Sequence, residues 1–218
     1  MKKQAVLLSG IFLILLFVAG AYLYKKQQTR QLDFLAQEHA EIFVRPHSPS
    51  LGSNDAKVYL VEFMDPACET CSAFAPLVKK LLADNPGRIK LVLRYAPFHD
   101  GADYFVKILE AARKQGKYWE TLDILYQSQP YWASHHNPQP QMAWQVLPHV
   151  PGLDLERLKT DMNDPAIAQI IAQDLADAKT LNVTKTPGFF VNGRPLVTFG
   201  DIQLQQLLMS ELEAQYPR

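Results

Sequence analysis

Cys68 and Cys71 are the only cysteines in a chain of 218 residues, and Glu69 and Thr70 separate them. Three chemistries use such a pair: a structural disulfide, part of a metal site, or a redox dithiol. A disulfide across two intervening residues closes a very small loop and removes little chain entropy. Zinc asks for about four nitrogen or sulfur ligands, and no second cysteine pair exists to complete such a set. His135 and His136 are adjacent rather than spaced by roughly three to five residues as paired ligands usually are, and they read as solvated loop residues. The expectation is therefore no metal and no other cofactor.

The third chemistry depends on position. A cysteine becomes a thiolate near neutral pH when it sits at a helix N-terminus, where the dipole and the free N–H groups stabilise negative charge. "KVYLVEF", residues 57–63, is β-branched, aromatic and almost wholly apolar, which predicts a buried strand. After the cysteine pair, Phe74, Leu77, Val78, Leu81 and Leu82 recur at helical spacing until Pro86-Gly87 ends the pattern. "IKLVLRYAPF" then predicts a second buried strand. Cys68 stands where the chain passes from strand to helix, and Cys71 stands one turn in. That placement points to a redox pair.

Glu62 interrupts the first strand. A period of two puts it on one face with Leu60 and Met64. A carboxylate there lies either on a polar face or in the core with a raised pKa. Near Cys71 a buried carboxyl can take and return a proton as a disulfide opens and closes.

Beyond the βαβ unit the pattern becomes helical over residues 102–129. Residues 130–141 form a proline-rich loop in which Tyr131 and Trp132 either line a substrate groove or, as the favoured expectation, pack on the helices. Short helices are predicted over 141–148 and 154–162, and a longer one opens at Asp164-Pro165, an N-cap followed by proline at the first helical position. "GFFVNGRPLVTF" contains two apolar runs about Asn192-Gly193, a hairpin signal. Asp201 is placed to cap a last helix. The order is thus βαβ, about eighty mostly helical residues at roughly 100–181, then ββα.

The N-terminal part differs. Ala5 to Tyr24 carries no charge and follows Lys2 and Lys3. As a helix rising ~1.5 Å per residue it spans roughly 30 Å, the hydrocarbon thickness of a bilayer. Tyr22, Tyr24, Lys25 and Lys26 suit the interface. A cleaved signal sequence is the alternative, with Ala19 and Ala21 as its small residues. The apolar run exceeds the usual leader core, which favours a retained anchor over residues 1–26. Basic residues flank both ends, so they give no orientation. Residues 27–55 read as a short amphipathic helix and a proline- and serine-containing linker, with the folded domain at 56–218. The formal net charge is zero, which gives no reason to expect nucleic acid as a partner.

With these features assembled, "VEFMDPACETC", "AARKQGKYWETLDILY" and "VTKTPGFFVNGRPL" resemble the DsbA-like branch of the thioredoxin superfamily. The resemblance implies a thioredoxin fold with a large helical insertion. It makes Cys68 the surface nucleophile and Cys71 the residue that resolves the mixed disulfide. It maps a cis-proline that faces the dithiol to Pro187, a substrate-pairing backbone to Thr186, and the buried acid to Glu62. Glu69 and Thr70, between the cysteines, are expected to bind substrate together with Thr186. The implied partners are exported proteins with thiols or disulfides, together with a membrane protein that reoxidises or reduces the pair. The implied place is outside the cytoplasmic membrane. One position departs from the strong oxidases, whose dipeptide between the cysteines is Pro-His. A carboxylate at 69 should raise the Cys68 pKa and weaken the protein as an oxidant. Thr186 likewise resembles the reductase and isomerase relatives, so the resemblance leaves the direction of exchange open.

Overall fold

A computed structural model describes residues 12, 14–17, 19, 20, 40–133 and 137–217. The expected membrane span lies mostly outside these residues. Those of it that are described are helical and exposed, and no helix among the described residues is long and apolar enough to cross a membrane. His135 and His136 also lie outside them. Among the described residues no cluster of three His, Cys, Asp or Glu side chains could hold a metal ion.

After a single helical turn, α1 (Ala40–Phe43), the chain forms β1 (Ser50–Gly52), β2 (Val58–Met64), α2 (Glu69–Asp84) and β3 (Ile89–Tyr95). An insertion follows: α3 (Ala102–Arg113), α4 (Tyr118–Gln127), α5 (Gln129–Trp132), α6 (Pro140–Val146), α7 (Leu155–Asp161) and α8 (Pro165–Thr180). The chain returns through β4 (Gly188–Val191) and β5 (Arg194–Pro195) to α9 (Asp201–Gln215). The sheet runs β1-β3-β2-β4-β5. β2 pairs parallel with β3 and antiparallel with β4, so it lies at the centre. That is why its sequence reads as a continuous apolar run.

The predicted order of elements is the observed one, with local differences. Pro130, Tyr131 and Trp132 are helical, within Gln129–Trp132, where a loop is expected. Trp132 is fully buried and its ring lies 4.0 Å from that of Phe105, whereas Tyr131 is 48% exposed. Packing therefore holds for the indole and not for the phenol. Asp164 caps α8 by accepting the N–H of Ala166. Asp201 is not the cap of α9 but its first helical residue, following Gly200. Asn192 and Gly193 both have positive φ, 48° and 80°, as the hairpin turn requires.

Residues 45–52, read above as linker, are built into the domain. β1 pairs with β3 through Ser50 opposite Val92 and Leu51 opposite Leu91. Arg45 makes two hydrogen bonds of 2.9 Å to Asp177 in α8. His47 lies 2.6 Å from Asp174. Arg94, fully buried on β3, donates to Asp174 at 2.7 Å, to Asp177 at 2.5 Å and to the carbonyl of Ile42. Burial alone would raise the Asp177 pKa, but the Arg45 and Arg94 guanidinium groups hold it below the ordinary carboxylate value. Long-range ion pairing of this kind leaves no periodic mark in sequence, and the prolines and serines of the segment mimic a solvated connection.

The two faces of β2 differ. Leu60 and Met64 join Leu91, Leu93, Phe189 and Val191 in the main core, together with residues of α2, α9 and the insertion. On the opposite face the Phe190 ring lies 6.0 Å from Phe63 and 5.1 Å from Phe43. The Arg94 guanidinium stands 5.3 Å over Phe63. Glu62 belongs by alternation to the main-core face, the face that carries α2 and its cysteines.

Candidate active site

The turn between β2 and α2 delivers Cys68. Asp65 is fully buried, and its side chain accepts the N–H of Ala67 at 2.8 Å. The same carboxylate meets the backbone N–H of His99 at 2.9 Å and the Nδ1 of His99 at 2.7 Å. Its carbonyl accepts the Cys68 N–H at 3.0 Å. Gln129 fixes the other side, donating from its amide to the carbonyls of Pro66 and Cys68 at 2.8 and 3.1 Å. Cys68 is thereby held as the N-cap residue of α2, with φ −76° and ψ 117°. The free N–H groups of the first turn point back toward its sulfur.

Asp65, His99 and Gln129 were not singled out from the sequence. Asp-Pro is a turn-initiating pair, so Asp65 carried a local signal. His99 and Gln129 come from β3's exit and from the insertion, and only the fold brings them here.

The Thr186–Pro187 peptide is cis, and it stands over the cysteine pair. The Cys68 thiol donates to the Thr186 carbonyl across 3.3 Å. Pro187 is buried and Thr186 partly so. Gly188 follows because a Cβ there would lie 2.8 Å from Cγ1 of Val183. Under this loop Cys68 is only 6% exposed and Cys71 is completely covered. The surface placement expected of Cys68 is thus corrected: the thiol sits at the surface end of α2 but beneath the 186–187 loop. Glu69 and Thr70 are exposed beside it.

The two free thiols are electrostatically unlike. Cys68 is lowered to about 5, chiefly by the hydrogen bond from Cys71. Burial opposes this, and hydrogen bonds from the Thr186 side chain and from the Cys71 and Thr70 backbone reinforce it. These bonds outweigh the opposite influence anticipated from Glu69. Burial pushes Cys71 well above its ordinary value, and the hydrogen bond to Cys68 and the charges on Glu62 and Cys68 push it the same way. The charge of the pair therefore resides on Cys68.

Glu62 is 5% exposed. On β2 it lies opposite Leu93 on one side and Phe189 on the other. Burial pushes its carboxyl up to about 8, helped by the Cys68 thiolate. A crevice of about 40 Å³ is lined by Glu62, Trp119 and Tyr126 and by Lys79 and Asp123, which are paired at 2.5 Å.

The fold that carries this dithiol and its cis X–Pro loop has clear counterparts among known proteins. The family model described as Thioredoxin matches residues 45–207, most of the chain. The chain belongs to the thioredoxin family. A solved thioredoxin-like oxidoreductase from Silicibacter pomeroyi is 31% identical, with a TM-score of 0.67 over 78% of this chain and 95% of that one. The probable disulfide bond formation protein D of Bacillus cereus is 29% identical over 160 residues, covering 70% of this chain and 74% of that protein. The Na(+)/H(+) antiporter NhaA of Herminiimonas arsenicoxydans is 31% identical over 147 residues, 66% of this chain. This chain spans only 22% of the length of that antiporter.

Proposed function

We propose that this chain exchanges disulfides with exported proteins through Cys68 and Cys71, outside the cytoplasmic membrane and tethered to it by residues 1–26. The observation that carries the reading is the asymmetry of the pair. A stabilised thiolate at Cys68 is at once a nucleophile and a good leaving group, while Cys71 stays protonated beside it.

In the oxidising direction a substrate thiolate attacks Sγ of Cys68 in the Cys68–Cys71 disulfide. The S–S bond breaks, the substrate–Cys68 mixed disulfide forms, and Cys71 leaves as a thiolate. Its proton comes from the Glu62 carboxyl, whose raised pKa keeps it protonated at neutral pH. A second substrate thiolate attacks the substrate sulfur of the mixed disulfide and expels Cys68 as its stabilised thiolate. The substrate loses two electrons as its disulfide forms, and the protein gains them as its dithiol. Reduction of a substrate runs through the same steps in reverse, with Glu62 accepting the Cys71 proton. The Thr186 backbone offers an extended substrate a pairing edge beside Cys68, and a membrane redox protein resets the pair.

Thiolate stabilisation favours the reduced protein and so favours the oxidase direction. The decisive experiment combines the reduction potential of the pair with its redox state in the cell. A pair found as disulfide, with a potential above that of thioredoxin at about −270 mV, supports the oxidase. A dithiol found in the cell makes the protein a reductase or isomerase. Stoichiometric soft metal on the purified protein without disulfide exchange would overturn the reading altogether in favour of a metal-handling role.

A further inference from the structure

Beside Cys68, on the side away from the 186–187 loop, a cleft of about 400 Å³ separates the start of α2 from the α4–α5 corner. Glu69, Ser72 and Ala73 line one wall; Tyr126, Gln127, Gln129 and Pro130 line the other. At roughly 100° per residue, Glu69 and Ser72 project about 140–160° around α2 from Phe74. Phe74 faces the sheet and the β5–α9 connection, its ring 5.7 Å from Phe189 and 4.8 Å from Phe199. The cleft is therefore a separate surface from the one beneath the 186–187 loop.

Its charge is one-sided. The Ser72 hydroxyl donates to the Tyr126 carbonyl at 3.2 Å. Both donors of the Gln129 amide are engaged by the carbonyls of Pro66 and Cys68. Among the described residues that line the cleft Glu69 is the only charged one, and its carboxylate is exposed; the other exposed polar side chain there, Gln127, is a neutral amide that both donates and accepts. Glu69 adjoins Cys68 in sequence, and an extended chain advances ~3.3–3.6 Å per residue. A side chain one or two residues from a cysteine attacked at Cys68 reaches the cleft.

We infer that this cleft is a specificity subsite for a lysine or arginine side chain flanking the substrate cysteine, with Glu69 as its charge partner. The inference rests on the exchange function proposed above, and it turns Glu69 from a weakener of the thiolate into a selector of substrate.

The test uses the full-length protein and three synthetic peptide pairs that carry Lys, Ser or Glu next to the reacting cysteine. Second-order exchange rates are measured, together with affinities for the same peptides with serine in place of cysteine. An exposed ion pair and its like-charge counterpart together predict a Lys-over-Glu preference of about three- to tenfold at low salt. That preference should collapse near 1 M salt, where screening acts within about 3 Å. Glu69→Gln should bring the ratio close to one, and Gln127→Lys should lower or invert it. Taking the ratio cancels any change in Cys68 reactivity common to all peptides. A Lys-to-Glu ratio unchanged by both substitutions, in rates and in affinities, overturns the subsite. Absence of exchange with every peptide and with glutathione overturns the oxidoreductase reading instead, and the affinity ratio still decides the subsite.

Discussion

The Cys68 thiol donates a hydrogen bond to the Thr186 carbonyl, 3.3 Å away across 118 positions of sequence. Only a protonated Cys68 can make this bond. A thiolate is an acceptor, so ionisation frees the Thr186 carbonyl for the N–H of an extended substrate. The proposed nucleophile and the proposed substrate-pairing edge are thus coupled through one proton.

The roles of the two cysteines are separable by substitution. Cys68→Ser should reduce exchange to the uncatalysed background. Cys71→Ser should leave attack intact and accumulate mixed disulfides, visible as adducts on non-reducing gels and by mass. Adducts on the Cys68→Ser variant and none on Cys71→Ser would reverse the assignment.

The pH dependence of the thiolate follows from its low pKa. Thiolate absorbance of the reduced protein should titrate near pH 5, against the ordinary value of 9. A folded pKa below the unfolded one contributes stability that is present above the unfolded value and is lost as pH falls through the folded one. The oxidised protein lacks this group. The stability of the reduced form relative to the oxidised form should therefore shrink between about pH 9 and pH 5. Urea unfolding of both forms across that range measures it, and a constant difference contradicts the thiolate placement.

Glu62 has the opposite sign. Its folded pKa is raised from 4.5 to about 8, so its contribution to stability is present below the lower value and is lost as pH rises through the upper one. Reduced Glu62→Gln should be more stable than the parent at pH 8 and similar to it at pH 4.5. Its exchange should slow by about a hundredfold, the low end of general acid–base contributions. Exchange rates unchanged from pH 5 to 9 would remove Glu62 from proton transfer.

Replacing Glu69-Thr70 with Pro-His should shift the Cys68 pKa downward by less than about one unit, because the principal stabilising hydrogen bonds come from Cys71 and because exposure screens Glu69. That corresponds to a rise in potential of less than about 30 mV. Equilibration with glutathione reads it. A much larger rise would show that the dipeptide, and not the pair itself, sets the redox poise.

Arg94 tests the segment before β2. It is fully buried between Asp174 and Asp177, and Arg94→Met leaves both carboxylates short of a cation. Loss of one partner from a buried ion pair costs about 3–5 kcal/mol. Chemical unfolding should show a loss of that order, while the thiolate absorbance of the folded variant remains in place. A loss below 1 kcal/mol would mean that Arg45 and His47 suffice.

The features legible in the sequence are local in origin. The apolar run of 57–63, the helical spacing after Cys71 and the Asn192-Gly193 turn each follow from rules acting within one element. Because Cys68 lies between a strand and a helix, its place at the N-terminus of α2 was legible without the fold. Glu62 was legible because a lone carboxylate in a buried strand breaks the pattern. The tertiary structure alone decided what comes from other parts of the chain. It set the Thr186 carbonyl on the Cys68 thiol, Gln129 and His99 around the turn, and the cleft beside Glu69. It also bound Arg45 and His47 to α8, which made part of the domain from residues that read as linker. These contacts join positions dozens to more than a hundred residues apart. Side-chain pairing over such distances has no period in sequence, because it depends on where whole elements meet rather than on the turn or pleat within one of them.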